Sequence, residues 1–99
     1  MFVERIRLLK QVKEDLKSGQ AFYDDIEKGL GDYFYDSLIS DIESLKIYAG
    51  VHTKQFTYFK MSSKRFPYFI YYEVDTSVVT ILAILDARQS PKVISERFS

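Results

Sequence analysis

The sequence predicts an α+β protein in one domain, residues 1–99, in the order β-α-α-β-β-β-(short α): a mostly antiparallel four-stranded sheet with an antiparallel helix pair packed on one face. Three observations carry this. Phe66 to Val74 and Val78 to Asp86 are apolar, aromatic and β-branched runs separated only by Asp75-Thr76-Ser77, the pattern of a β-hairpin. Both runs are apolar at consecutive positions, so each needs cover on both faces or neighbours on both edges, which places the hairpin at the sheet's centre. Leu30, Phe34, Leu38, Ile42 and Leu45 step by four, four, four and three, a single apolar helical stripe.

Taken in order, Glu4 to Leu9 alternates enough for a first strand, with Ile6 and Leu8 on one face. From Gln11 to Glu27, Val12, Leu16, Tyr23 and Ile26 follow helical spacing, with Gly19 on the same face, where it permits close packing or marks a weak point. Gly29 just past the last turn suits a left-handed cap, and Gly29-Leu30-Gly31 is so short that the second helix must fold back beside the first. Asp32, Asp36, Asp41 and Glu43 lie off the apolar stripe of that helix and form its wet face. After a connector at residues 48–52, Thr53 to Met61 alternates as one strand near an edge, with Lys54, Phe56, Tyr58 and Lys60 on one face. Ser62 to Arg65 turns into the central hairpin. Ser90-Pro91 is a helix start, with only two turns to follow, held by Val93, Ile94 or Phe98. Two helices cover one face of a sheet, so the other is exposed or covered by a partner.

Composition narrows the chemistry. The chain has 46% hydrophobic residues, eight Tyr and eight Phe, ample for a core, and no Cys and one His, which argues against a disulfide framework or a zinc site. No metal or other cofactor is expected. No apolar run reaches the roughly 20 residues of a membrane span, so the expectation is a soluble, cytoplasmic protein. Net charge is zero, but residues 1–50 carry seven Lys/Arg against ten Asp/Glu, and residues 51–99 seven against four. The sheet half is therefore the basic one. A chain that lives on nucleic acid is usually basic overall, unlike this one.

The candidate functional residues follow from that asymmetry. Lys54, Lys60, Lys64, Arg65, Arg88, Lys92 and Arg97 supply cations in the second half, interleaved with tyrosines. Cations and a tyrosine can in principle stabilise and protonate a phosphoryl transition state, although lysines at strand ends commonly serve only to keep edges solvated. Asp86 and Arg88, two apart at the end of the last strand, can pair. His52 stands alone in a loop with no carboxylate or nucleophile at catalytic spacing.

The order of elements, with Asp15-Leu16, Phe22-Tyr23, Gly29-Leu30-Gly31 and Phe34, then Arg65-Phe66-Pro67-Tyr68-Phe69-Ile70-Tyr71-Tyr72, Ile81 to Leu85, Arg88 and Pro91, resembles the RelE/ParE family of toxins from type II toxin–antitoxin systems. The Gly-Leu-Gly and Phe-Pro-Tyr segments point to the ParE-like side. The resemblance implies a RelE-like fold and a cognate antitoxin, hence a hetero-oligomer, with a role in plasmid stabilisation, growth control or bacterial stress response. It also implies one of two activities: poisoning DNA gyrase by binding, or ribosome-dependent mRNA cleavage. On the nuclease reading Lys60, Arg88 and Tyr58 would be catalytic. Against it, Phe69 stands where such nucleases carry an arginine, Ile94 where they carry a tyrosine, and Asp86 where many carry a histidine. The leading expectation is a gyrase-inhibiting, protein-binding toxin without catalysis, whose antitoxin or target contacts Lys54, Lys60, Lys64, Arg65, Arg88 and Lys92. An endoribonuclease or an inactive interaction module of the same fold are the alternatives.

Overall fold

The computed structural model describes residues 2–99. Strand β1 (Arg5–Leu8) leads into helix α1 (Lys10–Ile26), then α2 (Leu30–Glu43) and the single turn α3 (Leu45–Tyr48). There follow β2 (Lys54–Gln55), β3 (Tyr58–Ser62), β4 (Tyr68–Asp75), β5 (Val78–Asp86) and α4 (Pro91–Glu96). The sheet runs β1-β5-β4-β3-β2, with β1 parallel to β5 and every other pair antiparallel. The hairpin of β4 and β5 is flanked on both edges, as its continuous apolar runs require.

The α+β class stands, with five strands in place of four. The expected strand over residues 53–61 is two strands, because Phe56 and Thr57 both take positive φ (58° and 68°) and reverse the chain between Gln55 and Tyr58. Consecutive left-handed residues match the twist of a two-residue hairpin turn. The reversal also corrects the expectation that Lys54 and Lys60 share a face. Lys54 pairs with Phe59, which packs against the helix-side core, whereas Lys60 pairs with Tyr71, which belongs to the opposite face.

The main core lies between the helix pair and the sheet: Val12, Leu16, Phe34, Leu38, Ile42, Ile70, Tyr72, Val79, Ile81 and Ile84. Ile26, assigned by spacing to the same stripe, is exposed, and Leu45 lies beyond the end of α2, in α3. The helices approach closely because glycines face them. A Cβ on Gly19 would sit 2.5 Å from the Phe34 ring, and one on Gly31 would strike the carbonyl oxygen of Gln20. Gly29 takes φ 91°, and the Asp24 carboxylate accepts the N–H groups of Gly29 (2.9 Å) and Gly31 (3.3 Å), satisfying the start of α2 from the neighbouring helix.

The second face is covered in part by the chain itself. Ser90 caps α4 by accepting the Val93 N–H, and the helix seats Ile94, with Phe98 after it, on Tyr71, Ala83, Phe69 and Leu85. Phe56 stacks on Phe98 with ring centroids 5.1 Å apart. A helix of six residues holds only by such packing, so the expectation of a face left wholly for a partner is corrected. Val93 points away and is exposed. A bulge at Leu82, where Tyr71 pairs with Ala83 but Tyr72 with Ile81, shifts the alternation so that both Ile81 and Ile84 reach the main core.

Candidate binding site

The polar chemistry gathers where the central hairpin meets α1 and α4. Tyr68, first in β4, pairs with Asp86, last in β5. The Asp86 carboxylate accepts the Arg88 backbone N–H (2.8 Å) and two guanidinium donors, Nε (3.0 Å) and Nη2 (2.8 Å). That fork grips the side chain two residues on, and Arg88 Nη2 also lies 3.4 Å from the Tyr23 hydroxyl of α1. The hydrogen bonds from Arg88 hold the Asp86 carboxyl below the usual range and push the guanidinium pKa higher. Burial, with smaller contributions from Tyr23 and Asp86, pushes the Tyr68 phenol up to about 12, so it stays a neutral hydroxyl at physiological pH.

Beside this pair, Asp15 on α1 performs a second task. β1 ends its pairing at Leu8 opposite Ile81, which leaves the outer edge of β5 open beyond that point. Asp15 Oδ2 accepts the Ile84 N–H there (3.0 Å), and both carboxylate oxygens receive Arg97 (3.0 and 2.7 Å). One carboxylate thus closes a strand edge and ties the terminal helix to α1. Asp15, Asp86, Tyr68, Ser18, Gln89 and Arg97 line a cleft of about 310 Å³. It presents the Asp15–Arg97 ion pair, the Asp86 carboxylate already bound by Arg88, and the hydroxyls of Ser18 and Tyr68.

The other candidates scatter. Lys60 lies over the Phe69 ring (4.3 Å) on the face of α4, and Tyr58 packs against Phe98 on that same side (5.6 Å). Arg88 turns to Tyr23, on the helix side. Lys60 and Arg88 therefore point to opposite faces of the sheet. Lys54 covers Phe59 at the far edge (4.8 Å), while Lys64, Arg65 and Lys92 are exposed. Among the described residues the ion pairs are Arg88–Asp86 and Arg97–Asp15, so the remaining named cations have no carboxylate partner.

Two polar anchors gave no signal by spacing. Asp41, counted with the wet face of α2, is only 4% exposed; its Oδ2 accepts the Ser63 hydroxyl (2.6 Å) and the Lys64 N–H (3.3 Å), fixing the turn into β4. His52 meets the fully buried Tyr72 hydroxyl at Nδ1 (2.6 Å), and that oxygen also accepts the Gly50 N–H (2.9 Å). The tyrosine hydroxyl donates to Nδ1 in the tautomer that leaves that nitrogen unprotonated. Burial lowers the His52 pKa from 6.5. The folded state therefore binds this proton less readily than the unfolded chain, and the stabilisation is full above pH 6.5 and lost as pH falls through the lowered folded value. Urea unfolding at pH 7.5 and 5.5 is expected to show a smaller pH difference in His52→Gln than in the wild type; equal differences would separate His52 from the acid sensitivity.

The sheet order, the helix pair on one side and the short helix on the other define a small α+β protein of ParE-like fold. The structure is similar to a chain of the chromosomal ParDE TA system from P. aeruginosa, with a TM-score of 0.77 at 13% identity over 89% of this chain and 98% of that one. No family model and no curated protein matches the sequence. Among the described residues, no helix is long and apolar enough to cross a membrane.

Proposed function

We propose that this chain is the toxin component of a type II toxin–antitoxin module, neutralised by a cognate antitoxin and acting by binding a protein target such as DNA gyrase. The shared fold supports the module. The observation that carries the non-catalytic reading is the separation of Lys60 and Arg88: one ammonium rests on Phe69, where the family's nucleases need an arginine, and the other cation is gripped by Asp86 on the opposite face. General acid–base work on RNA needs such groups within hydrogen-bond reach of one phosphate. The antitoxin's acidic or amphipathic segment would meet the unpaired cations Lys54, Lys64, Arg65 and Lys92, with Lys60 and Arg88 at the margin, partly by coupled folding. Growth control and plasmid stabilisation in the cytoplasm are the roles this reading gives it.

The test is a supercoiling assay with purified protein and DNA gyrase, where inhibition is expected and unchanged supercoiling at high molar excess would refute the gyrase target. In a host that the toxin arrests, Lys60→Ala with Arg88→Ala is expected to leave arrest in place without mRNA cleavage. Loss of arrest together with loss of cleavage would establish the nuclease instead.

A further inference from the structure

At Gly19 helix α1 lies so close to α2 that a Cβ would collide with the Phe34 ring. Two residues earlier long side chains begin, and beside them a cavity of about 220 Å³ opens. It is lined by Leu8 at the end of β1, by Lys13, Leu16 and Lys17 of α1, and by Tyr35 of α2. Leu16 is buried and Leu8 half-buried, so they form an apolar floor, while Lys13, Lys17 and Tyr35 are exposed at the mouth. An apolar cavity of about 150 Å³ accepts one benzene ring, so this floor has room for a ring or a short hydrocarbon chain.

The ionised groups that line it are both cations. Lys13 and Lys17, four residues apart on α1, stand side by side, and neither is in an ion pair. Like charges at that spacing repel each other, and an anion held between them removes the repulsion. Glu14 lies about 100° round the helix from Lys13, and Asp36 follows Tyr35 on α2; neither carboxylate lines the cavity. The cleft of Asp15 and Asp86 and the cavity of Asp41, by contrast, each carry carboxylates of their own. The lysine stems extend the apolar wall while their ammonium groups stay in water, and the Tyr35 phenol adds a donor. We infer that this cavity binds a small amphiphilic carboxylate, its ring or short chain resting on Leu8 and Leu16 and its head group between Lys13 and Lys17. The bound molecule would join α1, α2 and β1 and stabilise the folded state by mass action. The inference does not depend on the toxin reading, and none of its residues is among the cations assigned above to the antitoxin or target.

The experiment titrates the isotope-labelled full chain with phenylpropanoate, its neutral amide and the corresponding phenylpropylammonium, and with acetate as the head group alone. Phenylpropanoate is expected to give saturable amide shifts at residues 8–17 and around Tyr35, with a Kd on the order of 1 mM for a ligand of this size. The amide should bind about tenfold more weakly, and the ammonium and acetate not at all. Lys13→Gln with Lys17→Gln changes only exposed side chains, so the chain should stay folded while phenylpropanoate falls to the affinity of the amide. Equal affinity for carboxylate and amide, unchanged affinity in the double variant, or no saturation by about 20 mM would overturn the inference. Shifts confined to the cleft of Asp15 and Asp86 or to the cavity of Tyr48 and His52 would overturn it as well.

Discussion

Gly31→Val is expected to destabilise the fold by about 3 kcal/mol or more, because overpacking a close contact typically costs 1–3 kcal/mol and here the obstacle is backbone. A Cβ at Gly31 meets the Gln20 carbonyl oxygen and then Asp24 Cβ at 3.0 Å. A flexible side chain could swing aside; a carbonyl inside α1 cannot move without breaking the helix ladder. Relief by parting α1 from α2 would loosen the contact of Tyr23 with Phe34, whose rings stack at 5.1 Å, and the Asp24 cap on Gly29 and Gly31. In a domain of this size the loss corresponds to a fall in melting temperature on the order of 10–20 °C. Gly31→Ala should fall between, since alanine regains roughly 1 kcal/mol of helix propensity. Thermal unfolding followed by circular dichroism checks the series, and a melting point unchanged in Gly31→Val would show that the helices can part at little cost.

Asp15→Ala is expected to cost about 2–4 kcal/mol, from a strand-edge N–H left without an acceptor and an arginine left without its partner. The carboxylate is 16% exposed and the guanidinium 26%, so solvent screens part of the second contribution. Two further substitutions separate the parts. Asp15→Asn keeps an oxygen for the Ile84 N–H but loses the charge, and should cost less than Asp15→Ala. Arg97→Ala leaves the edge closed and releases only the terminal helix. Amide exchange should then quicken through residues 91–98 while Ile84 stays protected; in Asp15→Ala both should become faster. Equal protection of Ile84 in all three variants would mean that Asp15 does not guard the strand edge.

Much of this fold is legible in a single sequence because its signals are local. Phe34, Leu38 and Ile42 repeat at helical spacing, Ser90-Pro91 starts a helix, and the apolar runs on either side of Asp75-Thr76-Ser77 pair over the whole of β4, with a single bulge at Leu82. The misreadings fall where a short-range pattern has two solutions. Lys54 to Lys60 alternates as well in one strand as in a two-residue hairpin, and only the positive φ of Phe56 and Thr57 decides between them. Neither residue type announces a left-handed conformation. Asp41 reads as surface because an acid is rarely buried, and what buries it is a turn more than twenty residues away.

The candidate site divides the same way. The Asp86–Arg88 pair was readable, since residues two apart at a strand end lie on one side. Asp15 with Arg97 and Ile84, and His52 with Tyr72, join groups from 20 to 82 positions apart, and no spacing rule reaches that far.

By itself the sequence determined the order of the main elements apart from α3 and the split of one strand into β2 and β3, together with the central hairpin, the close helix pair and the absence of cysteine chemistry, since each follows from neighbours along the chain. Only the tertiary structure decided which cations face one another. Side-chain direction across a sheet reverses with every residue, so one bulge or one tight turn redistributes charges between its faces. The turn at Phe56–Thr57 put Lys54 and Lys60 on opposite sides, and the guanidinium of Arg88 turned toward α1.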